Sequence, residues 1–255
     1  MARELRRLLI GPDRLRVATA GLLALTVDES RYLERVLRYR PGDRFAVVDG
    51  AGGLWSACLR DQRQAQLEQP LTSPLERQPR PQPQLVLAAA VVKRDFEVVV
   101  RMAVELGVDR LIPLVCDRTA VQGQLRADRW RSIANEAAEQ CERLWQPQID
   151  EPMALGELLD QPEPSALKLW ASARGDGRSD LAAVLDPIGL AGPGQPAALC
   201  LACGPEGGWS EAEDAQALQR GWEAVELGPR VLRSSTACVA GLAALSSWRA
   251  RHWRC

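Results

Sequence analysis

Five of the chain's seventeen prolines (70, 74, 79, 81 and 83) fall between Gln69 and Gln84. Proline fixes φ and has no N–H to donate, so a run this dense stays extended and semi-rigid and enters neither a helix interior nor a central strand. The chain is thereby divided into two parts that must each bury their own core. With 255 residues, 46% of them hydrophobic and 25% charged, it has the length for one small and one larger domain. That composition excludes disorder, collagen and a long coiled coil. We place the boundary in this stretch, with a first domain over residues 1–75 and a second over 76–255.

The part before the prolines reads as short strands: Arg6–Ile10, Leu22–Val27, Arg44–Asp49, Leu54–Leu59 and Ala65–Glu68, separated by turn residues. A small β-barrel is the economical way to close them. Asp49-Gly50-Ala51-Gly52-Gly53 joins two of these strands and supplies residues that accept a positive φ, as a tight turn requires. Tyr32–Arg38 has helical spacing, with Leu33, Val36 and Leu37 on one side and Arg31, Arg35 and Arg38 on the other. Such an arginine run suits phosphate contacts, and it equally suits a solvated helix face. Through residue 84 there are 14 arginines against 10 acidic residues, whereas the remainder carries 18 basic against 23 acidic. The asymmetry suggests that the first domain holds a polyanion while the second does chemistry.

The part after the prolines alternates strand and helix. Leu85–Val92 is an apolar run of buried-strand type, and Asp95–Leu106 follows with Phe96, Val99, Val100, Ala103 and Leu106 on one helical stripe. Arg110–Cys116 reads as strand and Trp130–Leu144 as helix. Leu167–Ala171, Ala197–Cys203 and Ala224–Leu227 read as further strands, and Thr236–Arg249 as a closing helix. Ser210 with Glu213 matches a capping box, so a helix begins just after Trp209. This alternation implies a mostly parallel sheet with helices on both faces.

Several function classes drop out on residue counts. The longest apolar run, Leu85–Val92, is far short of the roughly 18 residues of a membrane span, and Leu8–Ile10 is too short for a signal-peptide core. Seven scattered cysteines point to reduced thiols rather than a disulfide framework, and with them to the cytoplasm. Cys200 and Cys203 have the spacing of a redox dithiol or half a zinc site, but three residues apart on a strand they face opposite ways and read as buried thiols. His252 is the sole histidine, which argues against a histidine-based nucleophilic centre and excludes a multi-histidine metal site; no metal is expected. Of 32 basic side chains only Lys93 and Lys168 are lysine. That bias fits phosphate recognition by a planar fork of donors, and also fits arginine-favouring codons.

Two segments carry the chemistry. Gly204-Pro205-Glu206-Gly207-Gly208-Trp209-Ser210 lies between an apolar strand and a capped helix, where open α/β sheets bind ligands and where glycines let the backbone approach a large, flat molecule. Its spacing is neither a dinucleotide fingerprint nor a Walker loop. Leu227-Gly228-Pro229-Arg230-Val231-Leu232-Arg233 then leads through Ser234, Ser235 and Thr236 into a helix start, an anion-facing arrangement.

With those two segments stand three more: 104–118 (VELGVDRLIPLVCDR), 136–147 (EAAEQCERLWQP) and 35–53 (RVLRYRPGDRFAVVDGAGG). Together, in this order and over nearly the whole chain, they resemble the RsmE-type 16S ribosomal RNA uridine-N3 methyltransferases of the SPOUT, or α/β-knot, class. The resemblance implies a PUA-like β-barrel RNA-binding domain followed by a trefoil-knotted α/β methyltransferase domain. It also implies a homodimer, S-adenosyl-L-methionine as cofactor, and 16S rRNA in the small ribosomal subunit as partner. Carried over residue by residue, the cofactor site is Cys203, Gly204, Pro205, Glu206, Gly207, Gly208, Leu227, Gly228, Pro229, Arg230, Val231 and Leu232. Arg118, Glu139, Gln140, Arg143, Arg230 and Arg233 match polar positions expected around the target base. The chain departs from the pattern at Ser235, where Glu is usual, at Tyr32 (His), Met102 (Lys) and Glu142 (Gly), and mildly at Trp209 (Phe). These departures bear on proton transfer more than on the cofactor site.

Methylation at N3 requires loss of the N3 proton and in-line attack on the sulfonium methyl, so the site must stabilise a uracil anion. A permanently charged guanidinium at O2 or O4 does this without acting as a base. Arg233 and Arg118, then Arg230, are the candidates, and Glu206 either accepts the proton or braces the glycine loop. Phosphate contacts are expected from Arg6, Arg7, Arg35, Arg38 and Arg143. Trp145 and Trp209, in or beside the matched segments, serve either as base-stacking platforms or as core. Two other readings are a fold retained as a non-catalytic RNA-binding or ribosome-assembly factor, and a nucleotide-binding oxidoreductase built on the glycine loop.

Overall fold

The computed structural model describes residues 5–120, 125–161, 165–173, 178–189 and 195–252; Cys255 lies outside them. Two compact units are present. The first takes in the chain up to Arg80 together with Ala138–Gln146, and the second the remaining residues. The first unit thus runs five residues past the expected boundary at 75, and it includes a segment that the sequence reading assigned to the second domain.

The first unit contains β1 (Arg7–Leu9), α1 (Pro12–Arg16), β2 (Leu22–Ala24), α2 (Val27–Arg31), β3 (Arg44–Val48), β4 (Gly53–Leu59), β5 (Gln64–Leu67) and β6 (Glu76–Arg77). The strands form one sheet in the order β1-β3-β4-β5-β2, with β6 on β4. Side chains of the sheet and of the segments beside it, among them Ile10, Leu23, Leu33, Phe45, Val47, Trp55 and Leu59, make the core of this unit. The strand expected over Leu22–Val27 stops at Ala24 because Thr26 caps a helix. The Thr26 hydroxyl accepts the Glu29 N–H and the Glu29 carboxylate accepts the Thr26 N–H. The expected helix therefore begins five residues before Tyr32, and Tyr32–Val36 continues it as a π-turn. One extra residue in that turn rotates Val36 out of the apolar side and leaves it 66% exposed. α1, which starts on Pro12, had no apolar stripe to reveal it.

The Asp49–Gly53 turn is as expected, and its chemistry is explicit. The buried Asp49 carboxylate accepts the N–H groups of Ala51 and Gly53. Gly52 has φ +93°, and a Cβ there would lie 2.4 Å from the Gln78 carbonyl oxygen. Residues 138–146 join this unit through that turn: Gly52 N–H donates to Leu144 O, Gln146 N–H to Gly50 O, and Leu9 N–H to the Glu139 carboxylate.

The second unit contains β7 (Gln84–Ala90), α3 (Phe96–Glu105), β8 (Arg110–Val115), α4 (Ala127–Gln140, whose last residues belong to the first unit), β9 (Gln148–Ile149), β10 (Met153–Ala154) and α5 (Leu155–Asp160). There follow β11 (Ala166–Ala171), β12 (Ser179–Asp180), α6 (Leu181–Gly189), β13 (Ala198–Cys203), α7 (Glu211–Gln219), β14 (Glu223–Glu226) and α8 (Ser234–His252). The sheet order is β10-β8-β7-β13-β11-β14-β12, with β9 on β8, and every pairing is parallel. Val86, Ala88 and Ala90 of β7 and Cys200 and Ala202 of β13 share one apolar cluster with α5, Trp170, Trp209 and Trp222. α8 packs against β7 and β13 and also meets α3 and α6. Gly241 lets α8 come close, since a Cβ there would meet Leu201 at 2.4 Å.

At its far end α8 is held by charge. Arg249 pairs with the buried Asp109 carboxylate, which also accepts the Leu85 N–H, and donates to the carbonyls of Gly107 and Pro83. Removing one partner of such a pair strands a charge in the interior. Arg249→Met should therefore lower unfolding free energy by about 3 kcal/mol in urea titration, and adding Asp109→Asn to it should recover part of that loss. A change below about 0.5 kcal/mol would mean that the pair contributes nothing.

Candidate functional site

β13, β11 and β14 are neighbours and parallel, with Ala171 opposite both Cys203 and Val225. Their carboxyl ends meet at one edge of the sheet, so the segments that leave them, 204–209, 171–173 and 227–232, must converge. They line a cavity of about 300 Å³ together with Arg118, Arg178, Asp214, Glu226 and Ala237.

The glycine loop is fixed from several sides. Gly208, at φ +71°, donates its N–H to Pro205 O. Arg118 Nη1 donates to the carbonyls of Gly207 and Trp209 at 3.0 and 2.9 Å. Ser234 Oγ, at the start of α8, donates to Gly204 O. Downstream, Ser210 and Glu213 form the expected capping box. Glu213 also accepts the Asp117 N–H, and Ser210 Oγ donates to the Asp117 carboxylate. The turn after β8 is thus tied to the start of α7. Gly208 and Gly228 line the cavity, and a Cβ at either position would meet nothing within 4 Å. They leave a bare backbone cradle that side chains would fill, which suits a flat ligand resting on the main chain.

Eleven of the twelve expected cofactor residues line this cavity. Cys203 does not: it is buried, its thiol meets Cys238, and that contact together with burial pushes its pKa up. Of the expected catalytic residues, Arg230 is exposed at the cavity, and Glu206 lines it with one carboxylate oxygen 3.3 Å from the Lys93 N–H. Arg118 lines it as well, and its Nη1 braces the loop through the Gly207 and Trp209 carbonyls. Arg233 is exposed beyond the lining residues. Ser172, Ala173, Arg178 and Glu226 escaped the sequence reading. Arg178 donates to Ser172 O at 3.3 Å and lies 3.8 Å from the Glu226 carboxylate. Strand order was the missing signal: β11 lies between the two strands whose loops were identified, so its own loop had to border the same site.

In the first unit Arg6, Arg35 and Arg38 are exposed, with Arg38 at φ +59°. Arg7 is half-buried and paired with Glu142, and Arg143 donates to Trp145 O. Glu139 accepts the Leu9 N–H, and Gln140 is exposed. Burial, with the Glu139 charge second, raises the Tyr32 pKa. Trp145 is half-buried; it packs its indole on the Gly52 turn and donates to Gln78 O, with the Arg80 guanidinium 5.9 Å from its ring centre.

Residues 78–246 match the RNA methyltransferase domain family and residues 25–68 the RNA methyltransferase PUA domain family. The chain is 37% identical over 244 residues to a ribosomal RNA small subunit methyltransferase E of Synechocystis, covering 94% of this chain and 77% of that protein. Among solved structures it is similar to a ribosomal RNA small subunit methyltransferase E from Neisseria gonorrhoeae bound to S-adenosyl methionine, with a TM-score of 0.79 and 27% identity over 96% of this chain and 98% of that one. It is similar also to a methyltransferase from Legionella pneumophila in complex with the same cofactor, with a TM-score of 0.80 and 26% identity over the same shares of the two chains.

Cys116 and Cys203 are buried thiols. Burial, with the Glu213 charge second, pushes Cys116 up to about 12. The fold favours its neutral form, so this group takes nothing from stability below pH 9 and destabilises progressively as pH rises from 9 toward 12. At about pH 8 a maleimide should label the half-buried Cys58 and Cys141 well before Cys116 and Cys203, by peptide mapping, with the difference lost in denaturant. Equal labelling in the native protein would contradict the burial of the site thiols.

Proposed function

We infer the activity from one premise: the chain belongs to the ribosomal RNA small subunit methyltransferase E family. It is an S-adenosylmethionine-dependent methyltransferase that acts on 16S rRNA of the small ribosomal subunit, and N3 of a uridine is the atom methylated. The observation that carries this reading is the cavity at the ends of β11, β13 and β14, with its bare backbone over Gly208 and Gly228.

When bound there, S-adenosylmethionine supplies an electrophilic methyl on a sulfonium. The backbone of 204–208 and 227–232 would hold it, and Arg118 keeps the glycine loop in shape. Arg230 and Arg233, both exposed on the segment after β14, face the uracil oxygens and stabilise the negative charge that develops as N3 loses its proton. Glu206 keeps one oxygen on the Lys93 N–H, which braces the glycine loop, and its carboxylate is the candidate proton acceptor there. Holding the base in line with the methyl supplies the rest of the rate advantage.

RNA is held by phosphate contacts from the exposed Arg6, Arg35 and Arg38, while Arg7 and Arg143, through Glu142 and the Trp145 carbonyl, shape the same unit. Folded rRNA is read mainly by shape, and the target base leaves its stack to reach the pocket. A trefoil knot is proposed for the path of the chain on the fold of the family. From β13 it crosses β11 to form β14, then returns as α8 beneath β7 and β13, with Ser234 bonded to Gly204 O. The protein works as a homodimer in the cytoplasm.

Labelled methyl should pass from S-adenosylmethionine to purified small subunits, and nucleoside mapping should find it on uridine N3. RNA binding without transfer would instead indicate a non-catalytic assembly factor. Arg233→Ala should cut turnover about 100-fold while donor affinity changes less than about twofold; equal losses of both would assign it to binding. Affinity for the subunit should fall steeply with added salt, and the triple variant Arg6→Ala, Arg35→Ala, Arg38→Ala should show a shallower slope, whereas an unchanged slope removes these residues from the interface.

A further inference from the structure

We propose that Trp209 is a positioning residue for the methyl donor: its indole N–H ties the loop after β13 to the end of β11, and so sets the spacing of two of the pocket's three walls. This rests on the reading of the cavity as the S-adenosylmethionine site.

Trp209 lines the cavity yet is only 7% exposed. Its Nε1 donates to the Ala171 carbonyl at 2.9 Å. Its ring stacks on Trp170, with centroids 3.8 Å apart and planes 23° from parallel. Trp170 is anchored in turn, donating from Nε1 to the Asp214 carboxylate at 2.7 Å and meeting Trp222 edge-on at 5.8 Å. The indole also lies against Gly204, where a Cβ would come within 3.0 Å of the ring. The main-chain carbonyl of Trp209 accepts from Arg118. One residue therefore touches the end of β11, the first glycine of the loop, and the turn that follows β8.

Filling a core needs only the ring. The N–H does something further, because Ala171 is the last residue of β11 and the next two residues, Ser172 and Ala173, form a wall of the cavity. Phenylalanine, common at this position in the family the sequence resembles, would keep the stack on Trp170 but leave the Ala171 carbonyl without this donor. The wall would then be free to shift against the glycine loop, and the loss would fall on donor binding.

The test is Trp209→Phe, with steady-state kinetics in both substrates on the full-length protein. A neutral hydrogen bond of ordinary strength predicts a donor KM raised roughly three- to tenfold. kcat at saturating donor should stay within about twofold and the RNA KM should not change. A residue that merely stabilised the fold would lower the active fraction, reducing kcat at constant donor KM; that result, or an unchanged donor KM, overturns the proposal. Trp170→Leu removes the ring beneath Trp209 and should raise donor KM in the same direction, and the double variant should show less than the product of the two effects. Full multiplicativity would deny the coupling. Calorimetry separates this inference from the reading beneath it. Wild-type protein that fails to bind S-adenosylmethionine defeats the pocket assignment, whereas wild type and Trp209→Phe binding it equally tightly defeat the role of Trp209 alone. Donor binding should also change tryptophan emission in the wild type, and most of that change should vanish in Trp209→Phe.

Discussion

Parallel pairing of β13, β11 and β14 is the constraint on which the second unit depends. A parallel ladder puts like ends together, so three loops far apart in sequence are delivered to one edge without any of them encoding the meeting. Ala171 sits at the centre of that edge, in register with both neighbours and bonded to the Trp209 indole. Where a doubly wound sheet usually relies on one glycine turn at a helix N-terminus, here the N-terminus of α7 is already closed by Ser210 and Glu213. The surface that lines the cavity is therefore the loop backbone itself, held by Arg118 and by Ser234.

Local signals were readable wherever the residue type dictates the geometry. Ser210 and Glu213 announce a helix start because their hydrogen bonds are reciprocal and close in sequence. The same motif at Thr26 and Glu29 is masked by the apolar pattern of Leu22–Val27, which has the look of a strand. The π-turn at Tyr32–Val36 is illegible for a different reason: its period is wider than that of an α-helix, and Val36 consequently faces water. The two glycine- and arginine-rich segments were legible as a pair, and they do share a cavity. The contribution of β11 was not, because it depends on strand order, which no local pattern encodes.

Electrostatics followed a similar division. The arginine bias fits anion binding or codon usage equally well, and individual side chains divide by partner. Arg249 neutralises Asp109 inside the second unit, Arg7 meets Glu142 in the first, and Arg118 serves main-chain oxygens. Those left exposed, such as Arg35, Arg38, Arg230 and Arg233, are the ones available to phosphate or to a charged base. Partner choice here is a tertiary matter: Glu142 is 135 residues from Arg7, and no spacing rule links them.

The first unit includes residues 138–146 as well as the amino-terminal stretch, and the turn at Gly50–Gly52 is bonded to both Leu144 and Gln146. A protein is made from one end, so this small β structure cannot be completed when its last strand leaves the ribosomal tunnel. It must wait for some seventy further residues to be translated, with the Gly50–Gly52 backbone lacking its partners meanwhile. The choice of where to truncate for expression is governed by that delay: a fragment ending near the proline-rich stretch would carry the described strands of the first unit, β1 to β6, and still lack the piece that closes it.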